Sequence, residues 1–276
     1  MRNSLLIALR VLEGLEVVKF KSKPNFKGLQ VRQAVGKRPA LRDDELLSAK
    51  EFLYNRAKKS KALSSVELYE LFIVLSNLGL RPAEYFAIEL GDISFEYDTI
   101  TISKAVKTHK GVGTIIGAPK NGHSRTLPCG ENVMEVFRAI KQRLEIAKSV
   151  SKAEARKLFT ETKDDQVLKM AYYWVSQGAY DNCKDLPLDK CPITHLNHDT
   201  ANRMWWAVRN HLGYAGSNNT HGLYVLRHTV ASRLVSLKGF NAHKLMAFMG
   251  HTDIKSSLHY VHLNVDDIRD GVGVGA

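Results

Sequence analysis

The chain has 276 residues, 44% of them hydrophobic and 25% charged. This suits one large globular domain, with or without a small accessory part, and buries a core without disulfide or metal support. Forty Lys and Arg against 28 Asp and Glu leave a formal charge of +12, a surplus shared by phosphate-backbone binders and by proteins of ribosomes and membrane surfaces. Three cysteines without a CxxC pair argue against a secreted disulfide framework and for a reducing cytosol. No apolar run approaches the ~20 residues of a membrane span, so the expectation is a soluble, cytoplasmic protein.

Residues 1 to about 20 read as one amphipathic helix, its apolar stretch interrupted by Arg10, Glu13 and Glu16. Residues 21–40 are basic, hold Pro24 and Gly28, and read as a linker. A helix follows over Glu45 to Lys58 with Asp43 as its N-cap. Arg56, Lys58, Lys59 and Lys61 then form a patch that suits a solvated turn as well as a DNA contact. The next helix opens on a capping box, Ser64 with Glu67, and carries the stripe Leu68, Leu71, Phe72, Leu75 and Leu78 until Gly79 ends it. Pro82 opens another, expected to end near Gly91, with Arg81 at the junction. From Asp92 to Lys104 the alternation and the Ile/Thr content predict strands around a turn at Tyr97 and Asp98. Gly113–Ala118 and Ser124–Pro128 read as two more strands flanking Lys120-Asn121-Gly122, a tight-turn signal.

Helix returns over Glu131 to Lys157. Residues 160–200 are polar and dotted with aromatics, and take no assignment from pattern alone. Cys183, Cys191, His195 and His198 crowd this stretch, but their spacing matches no common zinc pattern, so they read as a loop. Helices are predicted over 199–212, 225–237 and 242–249, with a short one before Tyr260 and a loose Gly/Val tail at 271–276. The fold class is α+β, mainly helical, with a small antiparallel sheet or hairpin.

Three breaks in this pattern hold groups suited to phosphate chemistry. Arg81 sits where one helix ends and another begins, so a guanidinium and helix N–H groups could converge on an anion. Lys120 occupies a turn from which it can lean over a ligand. Near the end, Arg227 opens an apolar-striped helix, Gly250-His251 closes the next, and Tyr260 follows His251 by nine residues.

Four ordered segments carry a family resemblance. GLRPAEYFAIELGDI (79–93) is similar to the first arginine box of the tyrosine recombinases of the phage integrase type. PKNGHSRTLP (119–128) resembles their lysine-bearing hairpin. LRHTVAS (226–232) and MGHTDIKSSLHYVH (249–262) resemble their second box. The resemblance spans roughly residues 41–263. It implies a catalytic domain over 41–263, preceded by a remnant of a core-binding domain (1–40) and followed by a tail (264–276).

It also implies roles. Arg81 and Arg227 would clamp the scissile phosphate, His251 would hydrogen-bond it, Lys120 would protonate the departing 5′ oxygen, and Tyr260 would attack phosphorus. The chemistry suits these residue types. Charge gathers on the equatorial oxygens of a pentacoordinate phosphorus, which bidentate guanidiniums match. A phenol becomes a nucleophile when positive neighbours favour its anion. A phosphotyrosyl link conserves the phosphodiester energy, so neither ATP nor a cofactor is expected.

Two departures stand out. Where the family most often has histidine, three residues before the second arginine, this chain has Tyr224. His228 is expected to point off the opposite face in a structural role. The short N-terminus looks truncated relative to the family. The implied partner is double-stranded DNA, engaged as a homotetramer by a protein that is monomeric without it, with Lys104, Lys107, Lys110, Lys141 and Arg143 as candidate backbone contacts. The alternatives are an inactive DNA-binding remnant and a type IB topoisomerase-like enzyme.

Overall fold

The computed structural model describes residues 40–60, 62–109, 113–120, 122–162, 165–215, 221–237, 240–258 and 260. The expected N-terminal helix, its linker, Lys61, Lys110 and the C-terminal tail lie outside them.

Helix α1 (Asp43–Lys59) packs on α2 (Leu63–Leu78). Acids in the first turn of α1 and bases in its last turn complement the helix dipole. Its N-cap is Arg42 rather than Asp43. Around α2 the buried set includes Leu68, Leu71, Phe72, Ile73, Val74, Leu75 and Leu78, so apolar groups face out in every direction and the helix runs through the core. The predicted capping box does not form. Ala62 is the N-cap, with no side-chain bond, and Glu67 is instead buried, accepting the His195 N–H at 2.7 Å. Gly79 stops α2 in the left-handed region (φ 60°), and a Cβ there would stand 3.0 Å from Val230. Conformation and space both require glycine at that position.

Pro82 opens α3 (Pro82–Tyr85), which is one turn long and does not reach Gly91. A 3₁₀ turn over Leu90–Asp92 leads into the sheet. Strands β1 (Ile93–Ser94), β2 (Thr99–Ile102) and β5 (Arg125–Pro128) form one antiparallel sheet in the order β1-β2-β5. The turn at Tyr97-Asp98 is where expected, with Asp98 at φ 48°. Ile100 pairs with Leu127 and Ile102 with Arg125, so these four side chains share the inward face. Outside, the Thr101 and Thr126 hydroxyls meet at 3.1 Å.

Strand β4 (Gly113–Gly117) pairs with β3 (Ala105–His109), a strand that the pattern did not separate from its neighbours. The segments on either side of Lys120 are therefore not each other's partners. β4 turns back onto β3 while β5 returns to β2, and residues 118–124 connect two sheets.

The remaining elements are helical: α4 (Glu131–Ser149), α5 (Lys152–Glu161), α6 (Gln166–Ser176), α7 (His198–His211), α8 (Tyr224–Val235), α9 (Ala242–Met249) and α10 (Ile254–Leu258). The stripe Val133, Met134, Phe137, Ile140, Leu144 and Ala147 lays α4 on the core. One further residue on that face overturns an expectation. Arg143 is 2% exposed and forms a two-pronged ion pair with Glu70 of α2 (2.5 and 2.7 Å), while its Nε donates to the Tyr180 hydroxyl at 3.1 Å. A charge so placed satisfies a buried carboxylate and cannot contact DNA.

Cys183 and Cys191 are buried and unbridged. Cys183 Sγ lies 3.7 Å from His195 Nε2, and burial, reinforced by Cys191, pushes its thiol up to about 12. Such a thiol stays protonated and unreactive. His198 stands apart on α7 beside Asn202. Among the described residues no group of three or more His, Cys, Asp or Glu side chains could hold a metal, and no helix is long and apolar enough to cross a membrane.

Candidate active site

The site is organised by the C-terminus of α9. Asn241 caps the helix start by accepting the Lys244 N–H. At the other end Gly250 adopts φ 63°, and the N–H groups of Gly250 and His251 turn back to Ala247 and Met246. The carbonyls of Phe248, Met249 and Gly250 lie at the negative end of the helix dipole. Three guanidiniums take them. Arg125 Nε donates to Phe248 O at 3.1 Å, Arg227 Nη2 to Met249 O at 2.6 Å, and Arg81 Nη2 to Gly250 O at 3.4 Å. Arg227 also donates to Gly79 O at 2.8 Å, which ties the end of α2 into the same cluster. The two arginines expected to share a phosphate thus converge from segments 146 residues apart (227 − 81).

One carboxylate holds the cations together. Glu84 is buried at the N-terminus of α3 and receives Arg81 Nη1 at 2.8 Å, the Arg81 N–H at 3.0 Å and Arg125 at 2.7 and 3.2 Å. Burial alone would raise its carboxyl. The hydrogen bond and charge of Arg125, the Arg81 N–H and the nearby Arg227 outweigh burial and hold it at about 2. Arg227 is lowered too, to about 10, first by burial and then by the neighbouring Arg81 and Arg125 cations, against the pull of Tyr224 and Glu84. It remains charged at neutral pH. With one carboxylate among three guanidiniums, the cluster is net positive and suited to an anion.

His251 follows directly on Gly250, and its Nδ1 lies 2.8 Å from Ser257 Oγ, which fixes the ring against α10. Tyr260, just past α10, packs among Val230, Ala231, Leu245 and Met249. Its hydroxyl is hydrogen-bonded to Nδ1 of His228, the residue beside Arg227. His228 is buried, contrary to the expectation that it points away. Every residue from Val225 through Ala231 is buried, so this stretch of α8 has no outer face. Tyr224, the first residue of α8, is 40% exposed and meets the His228 ring edge-on at 4.9 Å between centroids.

Lys120 is exposed at the second position of a β-turn that the Gly122 N–H closes onto Pro119 O at 2.9 Å. It is not drawn into the arginine cluster. Of the other cations considered for DNA, Lys104 is held between Glu89 (2.7 Å) and Asp92 (3.0 Å), so it braces the start of the sheet and is not a free contact. Lys107 is half-buried. Lys141 lies over the Phe95 ring at 4.9 Å, with Glu145 at 3.9 Å, and reaches solvent.

Arg125 was not singled out beforehand, and His228 was expected only in a structural role. For Arg125 the signal was present: it stands two residues before Leu127 on a strand of period two, so it had to face inward with it.

The model of the phage integrase family matches residues 48–266. The chain belongs to that family. Its members are tyrosine recombinases, site-specific enzymes that cleave and rejoin DNA. Solved structures share the fold at low identity. The Tn1549 transposon integrase in complex with transposon right end DNA is 18% identical, with a TM-score of 0.59 over 95% of this chain and 74% of that one. The same integrase with a circular intermediate DNA is 20% identical, with a TM-score of 0.57 over 95% and 70%. The XerH site-specific recombinase bound to difH substrate is 15% identical, with a TM-score of 0.50 over 98% and 64%. No curated protein matches the chain.

Proposed function

We propose that this phage integrase family member cleaves duplex DNA at a recombination site by attack of the Tyr260 hydroxyl on phosphorus, forming a 3′-phosphotyrosyl bond and freeing a 5′-hydroxyl. The observation that carries this reading is the convergence of Arg81 and Arg227 on the end of α9, one residue from His251 on one side and from the His228–Tyr260 pair on the other.

Each guanidinium has five N–H donors and spends only part of them on carbonyls and Glu84. The remainder serve the non-bridging oxygens, whose charge rises in the transition state. Each such donor is worth about 10²–10³ in rate. His251 adds one more hydrogen bond. Lys120, on its exposed turn, reaches the departing 5′ oxygen once DNA lies over the cluster and gives it a proton. Tyr224 donates its phenolic hydrogen to the phosphate where relatives use histidine. Resealing reverses each step, and the bond energy stored in the phosphotyrosyl link removes any need for ATP. Exchange between two duplexes cuts four strands, and each chain supplies one Tyr260. A DNA-bound homotetramer is therefore the working form, assembled from monomers.

A nicked suicide substrate tests this. Cleavage releases a short 5′-hydroxyl fragment that diffuses away and traps the protein on the 3′ end. The wild type is expected to form an adduct that maps by mass spectrometry to Tyr260, and Tyr260→Phe is expected to form none. An adduct on another residue, or one that survives Tyr260→Phe, refutes the assignment. Binding without any adduct favours a DNA-binding remnant, and relaxation of supercoils without strand exchange favours a topoisomerase.

A further inference from the structure

The proposed mechanism leaves one proton without a destination. Attack by Tyr260 requires its hydroxyl to lose a proton, and the residue that relatives place three positions before the second arginine is here a phenol. Tyr224 can donate to phosphate but accepts a proton poorly at neutral pH. A buried hydrogen bond supplies the missing acceptor. The Tyr260 hydroxyl is bonded to His228 Nδ1, and both side chains are buried, Tyr260 among Val230, Ala231, Leu245 and Met249.

We propose that His228 is a catalytic residue of this enzyme, the base that takes the Tyr260 proton. This rests on the reading of Tyr260 as the nucleophile. In cleavage the phenolic O–H bond breaks, its proton passes to Nδ1, the phenolic oxygen forms the bond to phosphorus, and the P–O5′ bond breaks with its electron pair leaving on the 5′ oxygen. His228 becomes an imidazolium, and the 5′ oxygen receives its proton from Lys120. In resealing the 5′-hydroxyl attacks, Lys120 regains a proton, and His228 returns its own to the departing phenolic oxygen. The protein ends as it began.

Imidazole is the side chain whose ordinary titration falls nearest neutral pH. Beside it on α8 are the Arg227 cation and the Tyr224 ring, and across from it is Tyr260. From α9, Leu245 and Met249 share the cluster of Tyr260 and Phe248 packs against it, while His243 and Lys244 are exposed. The carboxylates of α2 are engaged elsewhere, Glu67 with the His195 N–H and Glu70 with Arg143. Glu84 is committed to Arg81 and Arg125.

The test uses the full chain, the nicked suicide substrate, and a second substrate whose bridging 5′ oxygen is replaced by sulfur. Sulfur leaves without needing a proton, so this substrate rescues the loss of an acid but not of a base. His228→Asn keeps an acceptor near the Nδ1 position but cannot take up a proton. The expected result is adduct formation slowed about 10²-fold, loss of the wild-type rise in rate through the imidazole range, and no rescue by sulfur. Lys120→Ala, by contrast, is expected to be rescued. Rescue of His228→Asn by sulfur, or an unchanged pH profile, overturns the proposal. So does faster adduct formation, which would make the contact a restraint on the phenol.

Should the variant fail to fold, the wild type still decides through ¹⁵N-histidine NMR. Nδ1 of His228 is expected to be unprotonated at neutral pH, and a proton on it that is donated to Tyr260 overturns the assignment. If the wild type itself forms no adduct, the strand-cleaving function falls first.

Discussion

Two regions of this protein bury arginines, and they do so in opposite ways. Arg143 of α4 meets Glu70 with two bonds and Tyr180 with a third, so its charge is answered in full by one carboxylate and one phenol. Arg227 of α8 is as deeply buried, yet its bonded partners are two carbonyls, and its cationic neighbours Arg81 and Arg125 share a single carboxylate, Glu84. The first arrangement is a neutral lock between α2 and α4. The second is a positive charge held ready by dipoles, and it drags the Arg227 guanidinium down to about 10. Burial of a cation is therefore not by itself a sign of function. What separates the two is whether the charge is already neutralised.

The largest expected effect breaks the lock. Arg143→Ala leaves Glu70 buried and unpaired, and should cost roughly 3–5 kcal/mol in denaturant unfolding. A double change, Arg143→Met with Glu70→Leu, should recover most of it. If Arg143→Ala proves neutral and instead weakens DNA binding, the contrast between the regions fails.

Next comes Arg227→Lys, which keeps a charge but loses the fork. Adduct formation on the suicide substrate should fall about 10²–10³-fold, while the unfolding midpoint moves far less than for Arg143→Ala.

The smallest effect concerns acid. Glu84 is held at about 2, against an ordinary value near 4.5. Because the folded value is the lower one, its contribution is fully present above about pH 4.5 and is lost as pH falls toward 2. By linkage this amounts to about 3 kcal/mol at most. Glu84→Gln should remove that part of the acid slope and lower stability at neutral pH. Urea unfolding from pH 7 down to pH 2.5 reads both.

Much of this was legible beforehand, because it depended on local chemistry. Gly79 and Gly250 mark helix ends that need a left-handed residue, Pro82 marks a helix start, and all three are where expected. Strand pairing was not legible. β4 and β5 flank a strong turn signal, yet each pairs with an earlier strand, and nothing local to residues 113–128 encodes that choice. The Ser64/Glu67 pair fitted a capping box, but Glu67 was needed 128 residues away at His195. Helix α6 escaped notice although Asp165 caps its start by accepting the Leu168 N–H at 3.0 Å, because its aromatic residues sit within a polar stretch. His228 was misplaced by treating α8 as two-sided, when neighbours enclose it from Val225 through Ala231.

The three guanidiniums on the end of α9 carry a consequence for how the enzyme is born. Arg81 must wait for Gly250, 169 residues on, and Arg125 for Phe248, 123 residues on. Contacts so distant in sequence close late and slowly. During synthesis the first two arginines leave the ribosome long before the helix terminus that orders them. The nascent chain can therefore order its arginine cluster only after residue 250 has emerged.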